Sequence, residues 1–133
     1  MYQIENHVAD VRLRVRAPSL EELFRDAMRG MYALMRPELE QVASLTRTIA
    51  VEESADLTSL LVDFLNEVLH RAHVGREVFH DAAFSLLDDT NVTAILTGIA
   101  PASFEEDVKA VTYHEAEVRQ EGGEWTTMLV FDI

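Results

Sequence analysis

Residues 11–35 read VRLRVRAPSLEELFRDAMRGMYALM, and this stretch decides the fold class. Its first six residues alternate apolar side chains with arginines, and this period of two predicts a half-buried strand. Pro18 ends the strand, and Ser19 stands three residues before Glu22, which is the spacing of a helix capping box. Apolar residues then repeat at helical spacing as far as Pro37 and predict an amphipathic helix. They are Leu20, Leu23, Phe24, Ala27, Met28, Met31 and Met35.

The remaining sequence continues this mixture of strands and helices. A second helical stripe opens after Asp56, closes near Gly75 and consists of Leu57, Leu60, Leu61, Phe64, Leu65, Val68 and Leu69. Strands are predicted over Leu45–Glu52, Val78–Leu87, Val92–Ile99, Val108–Arg119 and Trp125–Ile133, with hairpin turns at Asp88–Asn91 and Gln120–Glu124 and a loop, or at most one helical turn, over Pro101–Asp107. This order predicts an α+β fold, a two-layer sandwich of two amphipathic helices on a mixed or antiparallel sheet with C-terminal β-hairpins. No repeat or linker divides the chain, so we expect residues 1–133 to form a single domain.

Composition and charge exclude several classes of function. The 133 residues include no cysteine, which rules out disulfides, Cys-ligated metals and thiol nucleophiles. Twenty-four acids against eleven bases give a net charge of −13, so we expect no stable direct binding of nucleic acid and instead a cation or a basic protein partner. Residues 1–10 do not resemble a signal peptide, and no apolar run is long enough to cross a membrane. A soluble, cytoplasmic protein is the expectation.

The C-terminal strand carries the most informative acidic residue. Residues 128–131 (MLVF) are apolar on both sides of the pleat, which predicts a central strand covered on both faces. Asp132 continues this strand, next to Ile133 with its terminal carboxylate, and Asp10 opens the first predicted strand. If the two strands are neighbours, these three carboxylates could share one hard cation, Ca²⁺ or Mg²⁺. The alternative is structural: Asp132 pairs with an arginine and Asp10 merely begins a strand.

Other candidate residues also have structural explanations. His70 and His73 are three apart on the second helix and could ligate a metal, but such a pair is more often a solvated helix edge. Arg12, Arg14 and Arg16 could contact phosphate or an acidic partner, or form a charged outer face that discourages strand pairing. In the segment Val108–Glu115, the only lysine of the chain (Lys109) and His114 could line a groove, or simply be exposed and hydrogen-bonded within the sheet.

Three segments resemble the archease family. They are residues 7–11 (HVADV), residues 108–114 (VKAVTYH) and residues 130–133 (VFDI), and the order of elements is similar over essentially the whole chain. One position differs, because Val8 stands where the family usually has threonine. That difference removes a hydroxyl beside the predicted site but leaves the carboxylate of Asp10.

The resemblance implies an accessory protein and not an enzyme. Archeases activate the tRNA-splicing RNA ligase that joins 2′,3′-cyclic-phosphate or 3′-phosphate ends to 5′-hydroxyls in tRNA splicing and RNA repair, by promoting its guanylylation and multiple turnover. The family's metal site falls on Asp10, Asp132 and Ile133, and Lys109, His114 and His7 match positions that face the ligase. Two alternatives stay open: a metal-dependent hydrolase with His114 as base, and a general chaperone or protein-binding module.

Overall fold

The computed structural model describes residues 1–6 and 10–133, with the side chain of Asn6 left aside. Its eight strands form two antiparallel sheets. The first sheet contains β1 (Tyr2–Asn6), β2 (Asp10–Ala17), β6 (Ala110–Thr112), β7 (Arg119–Glu121) and β8 (Glu124–Asp132); the second contains β3 (Pro37–Val51), β4 (Val78–Leu87) and β5 (Val92–Phe104). The helices are α1 (Leu20–Met35) and α2 (Leu57–Gly75).

Both helices begin where the sequence predicts. The Ser19 side chain accepts a hydrogen bond from the Glu22 backbone N–H (3.2 Å), and Asp56 accepts one from the Ser59 N–H (2.8 Å). These contacts satisfy backbone donors that have no partner within the first helical turn. Each helix ends at an arginine in the left-handed conformation, Arg36 after α1 and Arg76 after α2.

The apolar faces of both sheets and both helices share one core. Helix α1 contacts β1, β2 and β8 of the first sheet and β4 of the second, while α2 contacts β6 of the first and β3 and β5 of the second. The largest fully buried side chains come from all of these layers: Leu13, Leu23, Phe24, Met28, Met31, Met35, Leu60, Leu61, Phe64, Leu65, Phe79 and Phe131. The predicted α+β fold, with helices packed on antiparallel sheet, is therefore confirmed. The assignment of all residues to one domain stays a prediction.

Strand β8 is central in the first sheet, as its apolar sequence predicts. It pairs with β2 on one side and with β6 and β7 on the other. Leu129, Val130 and Phe131 are buried, so both faces of the strand are covered at this end.

Three strand boundaries were wrong. Val108–Arg119 is not one strand, because a turn at residues 113–116, with Glu115 at a φ of 59°, separates β6 from β7. Residues 101–107 are not simply a loop, since β5 continues to Phe104. This extension pairs with Pro37–Leu39, so β3 begins eight residues before Leu45. In addition, strand β1 was not predicted at all.

No helix in the described part of the chain is long and apolar enough to span a membrane.

Candidate functional site

Two carboxylates face each other at one end of the first sheet. Asp10 opens β2 and Asp132 closes β8, and the two residues are direct partners in the antiparallel register. Such partners project to the same face, with Cβ atoms about 4.5–5.5 Å apart. Like charges in this arrangement repel and destabilise the strand pair. The structure thus brings together Asp10 and Asp132, and a bound cation would relieve their repulsion.

The environment of Asp10 fits a hard cation. Its Oδ1 atom is buried, and it has no hydrogen-bond partner among the residues that the structure describes. Within the same residues, neither Asp10 nor Asp132 forms an ion pair with an arginine, so the structural alternative for Asp132 is not observed. A buried carboxylate oxygen without donors is costly unless something compensates its charge. Carboxylate oxygens are the ligands that Ca²⁺ and Mg²⁺ prefer.

The set of candidate ligands is small. Over residues 1–6 and 10–133, no three His, Cys, Asp or Glu side chains converge on one point. Asp10 and Asp132 therefore supply two side chains, and the half-buried Ile133 follows β8 directly. His7 was predicted to face a partner and lies outside the described residues.

Lys109 lies beside this carboxylate pair. Its backbone N–H donates to the Asp132 carbonyl oxygen at 2.8 Å, and the next residue, Ala110, is the register partner of Asp132. The Lys109 side chain is exposed. The late motif thus brings the only lysine of the chain to the strand that carries Asp132.

His114 is exposed and belongs to no cluster of metal-ligating side chains in the described residues. Its side chain is 74% exposed, and the acid within ion-pair distance is Glu115, 4.0 Å from its Nε2 atom. Because the chain turns at residues 113–116, His114 does not take the orientation that it would have in a continuous strand. His70, His73 and His80 are also exposed, and none of them belongs to a metal-binding cluster within the described ranges.

The three arginines of β2 are neutralised by acids of the same chain. Each of the three forms an ion pair, so this row of arginines is a charged outer face. The pairs are Arg12 with Glu115, Arg14 with Glu5 (2.6 Å) and Arg16 with Glu124 (3.4 Å). A groove of about 530 Å³ lies along these arginines, and its charged lining consists of four arginines and three glutamates. The three glutamates offset most of the positive charge, which weakens the attraction of the groove for phosphate.

Comparison with known proteins places the chain in a family. The model of the Archease protein family (MTH1598/TM1083) matches residues 2–133. The chain belongs to the archease family. Among curated archeases, that of Methanosarcina mazei is 31% identical, covering 99% of this chain and 95% of its own, and that of Methanopyrus kandleri is 30% identical, covering 96% and 95%.

Solved structures agree with the archease fold. The solution structure of Methanobacterium thermoautotrophicum protein 1598 matches with a TM-score of 0.70 at 25% identity, over 99% of this chain and 98% of the other. The crystal structure of a Thermotoga maritima archease, described as a possible chaperone, matches with a TM-score of 0.70 at 20% identity, over 100% and 98%. The second likeness supports the fold alone.

Sequence reasoning missed how this archease holds its late motif in place. Asn66 of α2 donates from Nδ2 to the Val111 carbonyl (2.8 Å) and accepts from the Val111 N–H at Oδ1 (2.9 Å), so its amide pairs with β6 as a neighbouring strand would. Thr58 of the same helix accepts a hydrogen bond from the Val118 N–H at 3.0 Å. The available signal was the presence of the uncharged polar residues Thr58 and Asn66 in this amphipathic helix.

A second missed contact involves Tyr113, directly before His114. Its hydroxyl donates to the carboxylate of Asp63, which also accepts a hydrogen bond from the Ser54 hydroxyl (2.7 Å). The hydrogen bond to Asp63 raises the pKa of Tyr113 above its usual value. Helix α2 therefore fixes the middle of β6 and the turn that follows it.

Proposed function

We propose that this archease is an accessory protein, not an enzyme, that activates the tRNA-splicing 3′-phosphate RNA ligase. It promotes guanylylation and multiple turnover of that ligase in tRNA splicing or RNA repair. It does so by presenting a divalent metal ion, Ca²⁺ or Mg²⁺, to the ligase active site. Family membership supports an accessory role, and beyond it we propose the ligase as the partner and the metal ion as what is presented to it.

The facing carboxylates of Asp10 and Asp132 carry this proposal. Asp10 has a buried oxygen without a hydrogen-bond partner in the described part of the chain, and Asp132 is exposed at the end of β8. We assign the ion to these two side chains and to the carboxylate of Ile133. A divalent ion supplies charge neutralisation for nucleotide phosphates during guanylyl transfer. A partly exposed site with few ligands suits transfer of an ion better than storage.

The surface around the pair suits a basic partner that contains a phosphate. Lys109 directly precedes β6 and His114 follows it; both are exposed, and we assign them, with His7, to contact with the ligase. A net charge of −13 favours association with a ligase that must be positively charged to hold RNA. Lys109 then offers the one lysine ammonium group of the chain to a phosphate or carboxylate beside the metal.

Multiple-turnover ligation tests the proposal. Purified ligase is assayed with substoichiometric archease, and guanylylated ligase is quantified in parallel. Wild type is expected to accelerate ligation, while Asp132→Asn folds normally and loses at least 90% of the acceleration. Glu121→Gln removes the same charge from the other end of the same sheet and is the matched control, expected to behave as wild type. Full activation by Asp132→Asn contradicts the proposal.

A chaperone or general binding module is the second candidate. The Thermotoga maritima relative is described as a possible chaperone, and this chain exposes several large apolar side chains, among them Leu39, Leu86 and Ile95. Suppression of aggregation is measured with unrelated client proteins. Suppression that is equal for wild type and Asp132→Asn favours this second candidate.

A further inference from the structure

Most exposed sheet edges of this protein are protected. At β4, Arg25 and Arg29 of α1 donate to the carbonyls of Ala82 (2.8 Å) and His80 (2.8 Å), and two register shifts interrupt the strand. At β6, the Asn66 amide pairs with both backbone groups of Val111. Strands β1 and β7 are only five and three residues long. Side-chain caps, bulges and short strands are the means by which proteins prevent unwanted strand addition.

The edge of β3 lacks this protection. From Ala43 to Val51 the strand pairs with β5 without interruption, and its register shift lies before Ala43. In the described part of the chain, no side chain hydrogen-bonds to the backbone of residues 43–51. We call residues 43–51 the open edge. Its outward backbone groups are free to pair with another strand.

The open edge also lacks the charges that usually oppose strand pairing. Its sequence, ASLTRTIAV, has no acid, although the chain carries 24. Its single charged residue, Arg47, forms an ion pair with the buried Glu77 (3.1 Å). Four of its nine residues are β-branched, which favours a strand partner.

We propose that the open edge pairs antiparallel with the open edge of a second copy of this chain, joining two three-stranded sheets into one of six strands. The occupant is a second copy because it offers the same acid-free strand. Two copies that each carry −13 repel each other over acid-rich surfaces, and the open edge allows contact without opposing carboxylates. A basic partner is attracted to the acidic surfaces instead.

The pairing is self-complementary, as a two-fold interface requires. A register centred on Thr46 places Thr46 opposite Thr46 of the second copy, and Ser44 opposite Thr48. Hydroxyl residues opposed in this way stabilise a strand pair. Glu40 and Glu52 limit the contact because this register places Glu40 of one copy opposite Glu52 of the other. Asp10 and Asp132 lie on the other sheet and stay available.

Light scattering after gel filtration tests this assignment. Wild type is expected to have twice the 15.0 kDa mass of the chain and to associate more strongly at high salt, since salt screens the repulsion between copies. Ser44→Glu/Thr46→Glu opposes carboxylates in any register centred between these residues, and is expected to be monomeric. Thr93→Glu/Thr97→Glu makes the same change on the same face of the central strand, because Thr97 is the register partner of Thr46. This control is expected to stay dimeric.

Other results overturn the proposal. A wild type that is monomeric at all concentrations excludes it, and monomers from both double variants indicate packing through the sheet face instead of the edge. Circular dichroism checks that the variants are folded. If Ser44→Glu/Thr46→Glu does not fold, hydrogen exchange of the wild type decides: the amides of residues 43–51 that face away from β5 are expected to exchange at least tenfold more slowly at high than at low protein concentration. Equal exchange at both concentrations contradicts the pairing.

Discussion

Asp10 is held where its charge opposes folding. One of its oxygens is buried without a hydrogen-bond partner among the described residues, and its register partner is another acid, Asp132. A structural carboxylate is normally paired or hydrogen-bonded, and departures from that rule concentrate at functional sites. This combination is the reason that we propose a bound cation at the pair.

The sequence predicted this pair but not the surroundings of each residue. Asp132 was identified because it follows four apolar residues, and Asp10 because it opens the first predicted strand, which is β2 in the structure. His114 could not be placed, since its direction depends on whether the chain continues as a strand or turns. The turn places Glu115 at a positive φ and leaves His114 exposed, and no local pattern announces it.

Tyr32 makes the free energy of unfolding depend on pH in the alkaline range. Burial raises the pKa of its hydroxyl, which donates to the Glu77 carbonyl at 2.9 Å. The unfolded chain ionises this tyrosine near pH 10 while the folded protein keeps it neutral, so its contribution is intact below about pH 10 and is lost as pH rises further.

Urea unfolding of wild type and Tyr32→Phe between neutral and alkaline pH measures this effect. At neutral pH we expect the variant to be about 1 kcal/mol less stable, because it loses one hydrogen bond. Above about pH 10 the free energy of unfolding of wild type should fall by as much as about 1.4 kcal/mol per pH unit more steeply than that of the variant. Parallel slopes contradict this role of Tyr32.

Helix α2 positions the element that carries the site. Its side chains hold Val111, Tyr113 and Val118, and β6 in turn pairs with the strand of Asp132. The helix was predictable from its apolar stripe and its Asp56 cap. Its side-chain contacts with β6 were not, because they depend on how a helix meets a sheet edge far away in sequence.

Asn66→Leu tests this positioning. The substitution leaves the N–H and C=O of Val111 without protein partners, and an unsatisfied buried group costs about 1–3 kcal/mol. We expect the Val111 amide to exchange hydrogen at least tenfold faster and activation of the ligase to fall. Asn66→Asp keeps the acceptor for the Val111 N–H but sets a carboxylate oxygen against the Val111 carbonyl, so exchange of the Val111 amide should fall between. Unchanged exchange in Asn66→Leu would contradict the role of this amide.

Strand boundaries were the least predictable feature of the fold. Helix starts depend on local caps, so Ser19 and Asp56 were sufficient to locate them. Strand ends depend on the partner strand: β3 begins at Pro37 only because β5 continues through Pro101 to pair with it. The division of the strands between two sheets follows from the same long-range pairing.

At the scale of the whole molecule, charge separates two surfaces. The first sheet carries the facing carboxylates, with the nearby arginines neutralised by glutamates of the same chain. The second sheet carries the open edge, which has no acid. We therefore propose that the protein meets a basic partner at the first sheet and its own copy at the second.

Calorimetric titration of Ca²⁺ and of Mg²⁺ tests the central claim, that Asp10 and Asp132 hold a divalent ion. Wild type is expected to bind one ion per chain, and Glu121→Gln is expected to bind it with the same affinity. Asp10→Asn/Asp132→Asn should weaken binding at least tenfold, about 1.4 kcal/mol, while keeping the wild-type circular dichroism spectrum. Equal binding by the double variant and wild type, or no binding of either ion by wild type, contradicts the account.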